Sequence, residues 1–361
     1  MQKIDRQVAF TGTKDVAEPL RFDPARLEAY MAREAPGFTG PLKVQQFKGG
    51  QSNPTYLLET PSRKYVLRRK PPGKLLPSAH AVDREFRVIQ ALTAKRFPVA
   101  EPVLYCADES VTGTPFYVMG FVDGRVFWNP EMPGSNPRER ASIYDVMVAT
   151  LARLHCYDPV GLGLSDFGRG ENYVARQVDR WSKQYRASQT QPIDEMERLI
   201  EWLPAHIPPS GPVRLVHGDY RLDNMIFDTG SSRVLAVLDW ELSTLGDAMA
   251  DFSYHLMAWH MPPEETGAGT GSLVGHDLKA LGIPSADDYV VMYHARTGFD
   301  PRPHLSTYLA YNFFRIAAIL QGIAGRVRDG TATNEHAPAK AQMVRPLAET
   351  AWRFAREAGA G

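Results

Sequence analysis

The sequence predicts an α+β fold in two lobes, in which a β-rich N-terminal lobe precedes a larger, mainly helical C-terminal lobe. Between Pro41 and Lys70, short runs of β-branched, aromatic and aliphatic residues alternate with Gly, Pro and Ser clusters. This pattern is typical of an antiparallel meander. Beyond Gly124, apolar residues recur at every third or fourth position, which is typical of amphipathic helices.

The N-terminal lobe is predicted over residues 41–121. Its helix is expected over 78–95, where Val82, Phe86, Ile89 and Leu92 share one face. Its strands are expected at 42–45, 55–58, 65–68, 103–105 and 116–119. The polar residues 1–40 that precede this lobe are expected to form a loose tail and then a short helix over 24–34.

The C-terminal lobe is predicted over residues 122–361, and the join between the lobes lies near 119–125. Its first helix is expected over 138–157, where Ile143, Met147, Leu151 and Leu154 form one apolar face. Further helices are predicted over 172–187, 193–205, 247–260, 285–297, 303–327 and 338–357. Short strands are predicted at 214–216, 225–227 and 234–238.

Composition excludes several functional classes. The 361 residues include 41 Lys and Arg and 41 Asp and Glu, so no net charge favours nucleic acid or an anionic membrane. Two cysteines, Cys106 and Cys156, exclude a disulfide scaffold and a four-cysteine zinc site. No apolar run approaches the ~18 residues of a transmembrane helix, and charges interrupt the N-terminus before a signal sequence develops. We expect a cytoplasmic protein without membrane insertion; the sequence predicts no oligomeric state.

The stretch Val216–Ile226 (VHGDYRLDNMI) carries the strongest chemical signal. It contains a His, an Asp two residues later and an Asn five residues after that, between two apolar strands. This is the spacing of a kinase catalytic loop, with Gly218 where protein kinases carry Arg. Asp219 is therefore predicted to accept the proton of an attacking hydroxyl, and Asn224 to supply an oxygen ligand to Mg²⁺.

A second oxygen ligand is predicted at Asp239, which follows the apolar strand 234–238. Kinases carry the metal-binding aspartate of their DFG sequence at this place. Carboxylate oxygen suits Mg²⁺, which bridges the phosphates of ATP. Trp240 and Glu241 replace Phe and Gly, and no Ala-Pro-Glu sequence follows. A protein-kinase activation segment is therefore not predicted.

The N-terminal lobe offers groups for the nucleotide. Glycines between two strands let the backbone approach phosphates closely, and the predicted phosphate-binding residues are Gly49, Gly50, Gln51, Ser52 and Asn53. The third strand ends at Arg68, where kinases place a phosphate-binding Lys, and Glu85 on the following helix is predicted to orient it. Met119 and Phe121 belong to the predicted hinge strand, whose backbone N–H and C=O groups are expected to hold adenine.

Structural alternatives stand beside these assignments. The glycine pair also fits a hairpin turn. Arg68 precedes two further basic residues and also fits a solvated strand end, and Glu85 also fits a surface position. For His217 we favour a structural role, in which the ring packs and hydrogen-bonds the loop. Asp247 and Asp251 are expected to cap a helix and brace the same loop.

Three motifs together resemble the aminoglycoside phosphotransferase and choline kinase superfamily: His217-Gly218-Asp219 with Asn224, Leu238 to Glu241, and Gly246-Asp247 with Asp251. Stretches at 50–56, 66–69, 176–185 and 314–322 resemble one branch of it. That branch is the kinase-like domain fused to acyl-CoA dehydrogenases in animals and standing alone in bacteria. The resemblance implies a protein-kinase-like bilobal fold and ATP- and Mg²⁺-dependent phosphorylation of a small-molecule hydroxyl, with hydroxyacyl-CoA thioesters as the leading acceptors.

Two departures from the superfamily and two alternative functions stay open at this point. Gly120 replaces an acidic hinge residue. Arg68 replaces the usual Lys, and the planar guanidinium of Arg binds phosphate with a different geometry from the ammonium of Lys. One alternative is an aminoglycoside or amino-alcohol kinase, but residues 296–361 contain nine Lys and Arg against five Asp and Glu, which disfavours a polycation. An aromatic cage for choline is less favoured than core packing, because Tyr308, Tyr311, Phe313 and Phe314 have helical spacing. The other alternative is a pseudokinase without turnover, against which the intact acidic and amide groups argue.

Overall fold

The computed structural model describes residues 5–49, 53–73, 80–264, 266–267, 269–331 and 336–361. Its N-terminal lobe is built on an antiparallel sheet with strand order β1-β2-β3-β4-β6-β5. The strands are β1 (Thr13–Lys14), β2 (Lys43–Phe47), β3 (Thr55–Glu59), β4 (Lys64–Arg69), β5 (Pro102–Cys106) and β6 (Phe116–Gly120). This sheet and the helical lobe that follows confirm the predicted α+β bilobal fold.

The helices of the N-terminal lobe pack against this sheet. Helix α2 (Pro24–Glu34) is where the sequence predicts it, with Asp23 accepting a hydrogen bond from the first turn and Pro24 at the first helical position. Helix α3 (Val82–Ala94) buries the apolar face expected of it; the predicted start at residues 78 and 79 lies outside the described residues. A single-turn helix, α4 (Glu109–Thr112), was not predicted.

The N-terminal segment is not the loose tail that we expected. Helix α1 (Arg6–Phe10) is capped by Asp5, and β1 adds to the edge of the sheet by pairing with β2. Both elements are too short to show a hydrophobic period, so only pairing with a distant strand reveals them. The predicted domain boundaries at 40/41 and 121/122 stay predictions.

The C-terminal lobe is mainly helical, as predicted. One predicted helix, 338–357, is divided at Met343 into α12 and α13, and the strand β10 and the short helix α9 were not predicted. The helices are α5 (Pro137–Cys156), α6 (Tyr173–Ser188), α7 (Asp194–Trp202), α8 (Ala248–Leu256), α9 (Leu278–Leu281), α10 (Ala286–Thr297), α11 (Leu305–Arg328), α12 (Ala337–Gln342) and α13 (Val344–Glu357). Across the described residues, no helix has the length and apolar character needed to span a bilayer.

Two small antiparallel ribbons carry the loops between these helices. One pairs β7 (Val213–Val216) with β10 (Thr244–Asp247), and the other is a hairpin of β8 (Met225–Phe227) and β9 (Val234–Val237). The chain enters the lobe across this hairpin at Gly124, where a Cβ atom would lie 2.5 Å from Ile226 Cγ2 and from the Phe227 carbonyl oxygen. Only glycine fits so close an approach.

Helix α11 is the centre of the second core. Its aromatic residues Tyr308, Tyr311, Phe313 and Phe314 are at most 1% exposed, and they pack with apolar residues of α6, α7 and α13. This burial confirms that these residues form core rather than an aromatic cage. The helix therefore acts as a rigid support for α8, which contacts the loop between β7 and β8.

That loop is held by Asp251 of α8. Its Oδ2 accepts the N–H of His217 at 2.7 Å and its Oδ1 accepts the N–H of Gly218 at 2.8 Å. Buried His155 lies 3.1 Å from Oδ2 and shares its other ring nitrogen with the Tyr293 hydroxyl. Burial alone would raise the pKa of Asp251, but the hydrogen bonds from His155 and from the His217 backbone N–H hold it below its ordinary value. The predicted brace is confirmed.

The predicted cap is confirmed as well. Asp247 precedes α8 and accepts the N–H of Met249 at 2.9 Å, which satisfies one free donor of the first turn. Its other oxygen accepts the hydroxyl of Tyr308 on α11 at 2.7 Å. The two aspartates therefore tie α8 to α11 on one side and to the loop on the other.

We expect Asp251→Asn to lower the free energy of unfolding by about 1–3 kcal/mol at pH 7, because Asn offers one acceptor oxygen where Asp251 uses two. Since the folded state depresses the pKa of Asp251, its contribution is complete above the ordinary aspartate pKa of about 3.9 and is lost as pH falls through the folded value. The stability difference from wild type should therefore shrink on acidification.

Urea unfolding at neutral and at successively lower pH measures this difference. Asp179→Asn, at an exposed aspartate paired with Lys183, is the matched control and should change little. Equal stability of wild type and Asp251→Asn at pH 7 would contradict the assigned role.

Candidate active site

The structure brings Asp219, Asn224 and Asp239 to one end of the β8–β9 hairpin. Asn224 lies immediately before β8, and Asp239 lies two residues after the end of β9. The N–H of Leu238 donates to the Asn224 carbonyl oxygen at 2.8 Å, which extends the ladder by one step. Because antiparallel partners lie side by side, the residues that enter and leave the hairpin occupy the same edge.

The Asn224 amide has one fixed orientation. Its Nδ2 donates to the backbone oxygen of Asp219 at 2.9 Å and to Asp219 Oδ2 at 3.1 Å. Both partners are acceptors, so they require the nitrogen on their side. The Oδ1 atom is then on the opposite side of the amide, and no donor among the described residues contacts it. It is an oxygen of the kind that Mg²⁺ prefers.

The Asp219 carboxylate is oriented by two further groups. Tyr254 donates its hydroxyl to Oδ1 at 2.6 Å, and Arg221 Nε lies 3.1 Å from the same oxygen. Burial and the charge of Asp219 raise the pKa of Tyr254, so this hydroxyl stays protonated and keeps donating. The Asp219 side chain is still 20% exposed, so a small molecule can reach it.

His217 is structural, as predicted. It is fully buried, and its Nδ1 accepts the Asp219 N–H at 3.2 Å while its Nε2 lies 2.9 Å from the Leu238 carbonyl oxygen. One nitrogen must accept and the other must donate, so the ring is neutral with its proton on Nε2. The ring therefore joins the loop to the end of the hairpin and has no nitrogen left for proton transfer.

Gly218 occupies a backbone conformation that requires glycine. Its φ is +82°, and a Cβ atom would lie 2.8 Å from the Leu242 carbonyl oxygen. Its own carbonyl accepts Arg315 Nη2 at 3.0 Å, and that guanidinium lies over the Tyr254 ring at 5.1 Å. Both backbone groups of Gly218 are thus fixed, the N–H by Asp251 and the C=O by Arg315.

Arg68 crosses from the N-terminal lobe to this site. Its Nε donates to Glu85 Oε2 at 3.0 Å, which confirms the predicted pair. Its Nη2 lies 2.5 Å from Asp239 Oδ1 and 3.1 Å from Glu241 Oε2. Arg68 is 7% and Glu85 1% exposed, which excludes the solvated strand end and the surface carboxylate as alternatives.

Three carboxyl groups contact this arginine, those of Glu85, Asp239 and Glu241. Burial, together with the charges of Asp239 and Glu241, raises the pKa of Glu85 to about 8, and Arg68 opposes the shift. The carboxylates in turn raise the pKa of Arg68 against the effect of burial. Among the described residues, one guanidinium therefore joins carboxyl groups of both lobes.

The predicted glycine-rich loop is only partly within the described residues. Gly50, Gln51 and Ser52 lie outside them. Gly49 is close to Trp128, whose ring would be 3.2 Å from a Cβ atom. Asn53 is fully buried, and it donates to Glu241 at 3.0 Å and contacts His80 Nδ1 at 2.8 Å. These two contacts fix the Asn53 side chain at the end of the loop, and its role as a phosphate donor stays a prediction.

The hinge differs from the prediction at one atom. Phe121 donates its N–H to the Lys64 carbonyl oxygen at 3.2 Å, so the sheet uses this one backbone donor of the predicted hinge strand. Met119 lies within β6, opposite Val66 on one side and Pro102 on the other. The sheet thus extends one residue further toward the join than the sequence indicated.

Sequence reasoning missed several residues that the structure places at the site. Tyr254 could have been found, because it lies three residues after Asp251 and so on the same face of α8. Arg221 is two residues after Asp219 and was available in the motif. Arg6 and Arg315 gave no signal, because they reach the loop from opposite ends of the chain.

Comparison with known proteins agrees with this geometry. Residues 43–273 match the phosphotransferase enzyme family. Acyl-CoA dehydrogenase family member 10 of Mus musculus is 44% identical over 321 residues, which cover 89% of this chain and 30% of that protein. The chain spans less than half the length of such curated relatives.

Two solved structures share the fold. A protein from Ralstonia eutropha JMP134, provisionally described as an aminoglycoside phosphotransferase, is 47% identical with a TM-score of 0.84, and the match covers 93% of this chain and 99% of that one. Choline kinase from Cryptosporidium parvum is 10% identical with a TM-score of 0.66, covering 93% and 96%. At that identity the likeness is one of fold. The matched motif, the shared fold and the site geometry together assign this chain to the phosphotransferase enzyme family, with a bilobal protein-kinase-like architecture.

Proposed function

We propose that this protein transfers a phosphoryl group from Mg²⁺-bound ATP to a hydroxyl of a small molecule. The observation that carries this proposal is the convergence of Asp219, Asn224 and Asp239 at one hairpin end, with Arg68 reaching them from the other lobe. Phosphoryl transfer needs positioned groups and charge neutralisation more than covalent chemistry. The four side chains supply a base, two oxygen ligands and a cation in one place.

The residues present fit a magnesium–nucleotide complex. Asn224 Oδ1 and the Asp239 carboxylate would hold the metal. Mg²⁺ is usually bound by one or two carboxylates together with substrate phosphates. Within the described ranges, no three His, Cys, Asp or Glu side chains are grouped as a complete metal site, so ATP would supply the remaining ligands. When bound, the metal neutralises charge on the transferring phosphoryl group.

Arg68 would bind the ATP phosphates, and Glu85 would fix the direction of its guanidinium. Without nucleotide, Arg68 is paired with Asp239 and Glu241. A phosphate and a metal ion that bind together would replace this pairing, because the phosphate would pair with Arg68 and the metal with the Asp239 carboxylate. The site therefore matches the charge of the complex rather than that of either component.

Asp219 would accept the proton of the acceptor hydroxyl. Tyr254 and Arg221 hold one oxygen of this carboxylate and Asn224 holds the other, so its direction is fixed before a substrate arrives. A carboxylate in this position orders the hydroxyl and removes its proton as the new phosphate ester forms. The neutral His217 ring supports the backbone and does not take part.

Hydroxyacyl-CoA thioesters are the acceptors that we favour. The 44% identity with a protein named for acyl-CoA dehydrogenase chemistry covers most of this chain, and a hydroxyl on the acyl group would meet Asp219. An aminoglycoside or choline-like acceptor is the alternative, as is a nucleotide-binding pseudokinase. The burial of Tyr308 and Phe314 in the core removes those two rings as a cage for a quaternary ammonium.

Asp219→Asn tests the proton acceptor. It keeps the shape of the side chain and removes its basicity, so we expect kcat to fall by about 10²–10⁴-fold with Mg–ATP affinity nearly unchanged. ATP consumption with a panel of hydroxyacyl-CoA thioesters, nucleotide affinity and melting temperature should be measured on one preparation. Asp179→Asn is the control. Wild-type kcat in a folded Asp219→Asn variant would remove this role.

Asp239→Ala tests the metal. Turnover by the wild type should stop when divalent cations are chelated, and the variant should be nearly inactive even in saturating Mg²⁺, because the metal loses its carboxylate ligand. Asp166→Ala, at a side chain that is 71% exposed, serves as control. Full activity of Asp239→Ala in saturating Mg²⁺ would show that another group holds the metal.

Arg68→Ala tests nucleotide anchoring. We expect the KM for ATP to rise and thermal stability to fall, because three carboxyl groups lose their shared cation. Arg68→Lys keeps the charge without the planar fork and should lie between wild type and Arg68→Ala in both measurements. Arg33→Ala, at a 66% exposed side chain, is the control. Unchanged KM and kcat in Arg68→Ala would assign the residue to structure alone.

A further inference from the structure

A chain of ion pairs leads away from Asp219 toward the N-terminal segment. Arg221 Nε lies 3.1 Å from Asp219 Oδ1, and its Nη2 lies 3.4 Å from Asp223 Oδ2. Arg6 Nη2 lies 3.0 Å from that same Asp223 oxygen. Two guanidinium groups therefore share one carboxylate next to the proposed base.

Arg6 is buried, although it lies near the start of the chain, where arginine side chains are usually exposed. It is 6% exposed, and its Nη1 donates to the Trp128 carbonyl oxygen. Its Nε is buried without an acceptor among the described residues. A buried guanidinium with an unused donor is costly unless a further acceptor completes it.

The N-terminal segment fixes Arg6 in this position. Strand β1 joins the sheet edge, Gln7 donates to the Val126 carbonyl oxygen at 3.3 Å, and Phe10 packs on Trp128 with ring centroids 5.2 Å apart. These contacts reach both lobes. The segment thus lies between the sheet and the loop that carries Asp219.

A third cation approaches from the other end of the chain. Lys340 of α12 lies near Arg221 and Arg6. Burial lowers the pKa of Lys340, the charges of Arg221 and Arg6 lower it further, and the charge of Glu264 raises it. Among the described residues, Asp223 and Glu264 face Arg6, and Glu264 also faces Lys340. Arg6 and Lys340 both lie outside residues 43–273, the part that matches the family model.

We propose that Arg6, Arg221 and Lys340 form an anion-binding subsite beside Asp219. The acceptor would then carry a phosphate or carboxylate group besides the hydroxyl that is phosphorylated. This rests on the proposed function and narrows its substrate class. A polycationic or quaternary ammonium acceptor would place positive charge against these three cations, whereas an anion would complete the unused donor of Arg6.

The first part of the experiment varies the charge of the acceptor. Hydroxyacyl-CoA thioesters with the hydroxyl at successive carbons are compared with the same acyl groups on pantetheine, which lacks the phosphates. Free hydroxy acids are compared with their methyl esters, and choline is the cationic probe. Phosphoryl transfer is measured for each, and binding of coenzyme A and pantetheine is measured by calorimetry on the full chain with Mg–ADP.

The second part varies the protein. For Arg6→Ala and Lys340→Ala we expect the KM of the anionic acceptor to rise about ten- to a hundredfold, as for loss of a charged hydrogen bond. The kcat, the KM for ATP and the KM of the neutral analogue should stay near wild type. Arg33→Ala and Lys183→Ala, both at exposed side chains, are the matched controls.

Each result decides the inference. Preference for the CoA thioester over pantetheine identifies phosphate as the anion, and preference for the free acid over its ester identifies carboxylate. If Arg6→Ala does not fold, Arg6→Lys and Lys340→Ala carry the test. The subsite would be overturned if the wild type used charged and neutral acceptors equally or preferred choline. It would also be overturned if the variants had the wild-type KM for the anionic acceptors.

The same measurements separate this inference from the proposed function. If no probe is phosphorylated but coenzyme A binds and loses affinity in Arg6→Ala and Lys340→Ala, the phosphotransfer proposal fails and the subsite stands. If phosphoryl transfer occurs and neither variant changes the KM of any acceptor, the function stands and the subsite fails. If wild type binds none of the anionic probes, the subsite fails as well.

Discussion

The loop that presents Asp219 depends on the buried carboxylate of Asp251. Two consecutive backbone N–H groups, those of His217 and Gly218, donate to its two oxygens, and buried His155 supports the same carboxylate from α5. A loop has no ladder of its own, so its polar backbone must find partners elsewhere. Here one side chain supplies them, and it does so from a helix packed on the core helix α11. The direction of Asp219 is therefore set by the interior of the lobe rather than by its surface.

Electrostatics explains why the two lobes meet where they do. Arg68 belongs to β4, Glu85 to α3, and Asp239 and Glu241 follow β9, so one guanidinium holds carboxyl groups from both lobes. Each of these carboxyl groups contacts the same buried guanidinium, and removing one partner of a buried ion pair is strongly destabilising. In the proposed function, a metal ion would pair with Asp239 and an anionic phosphate chain with Arg68. The proposal therefore predicts that the site binds the metal–nucleotide complex better than nucleotide alone.

Much of the architecture could be predicted because long elements carry their own periodic signal. Helices α2, α5, α10 and α11 begin and end within two residues of their predicted positions. The secondary-structure prediction missed elements too short to show a period, such as α1, β1 and β10. It also missed one helix boundary, at Met343, where the helical pattern of the sequence continues across a break. The loose tail was wrong for the same reason, since β1 is defined only by its partner strand.

The sequence by itself determined the order and chemistry of Asp219, Asn224 and Asp239, because a loop and the hairpin that follows it are local structures whose geometry depends on neighbouring residues. It also indicated that Asp251 would brace the loop. Only the tertiary structure decided what faces these groups. Arg315 is 97 residues from Gly218 and Arg6 is 217 residues from Asp223, so no local pattern links them. Likewise, only packing shows that Asn53 is bound to Glu241 and that the Phe121 N–H belongs to the sheet, because a donor's partner depends on which distant backbone or side chain the fold brings within hydrogen-bond distance.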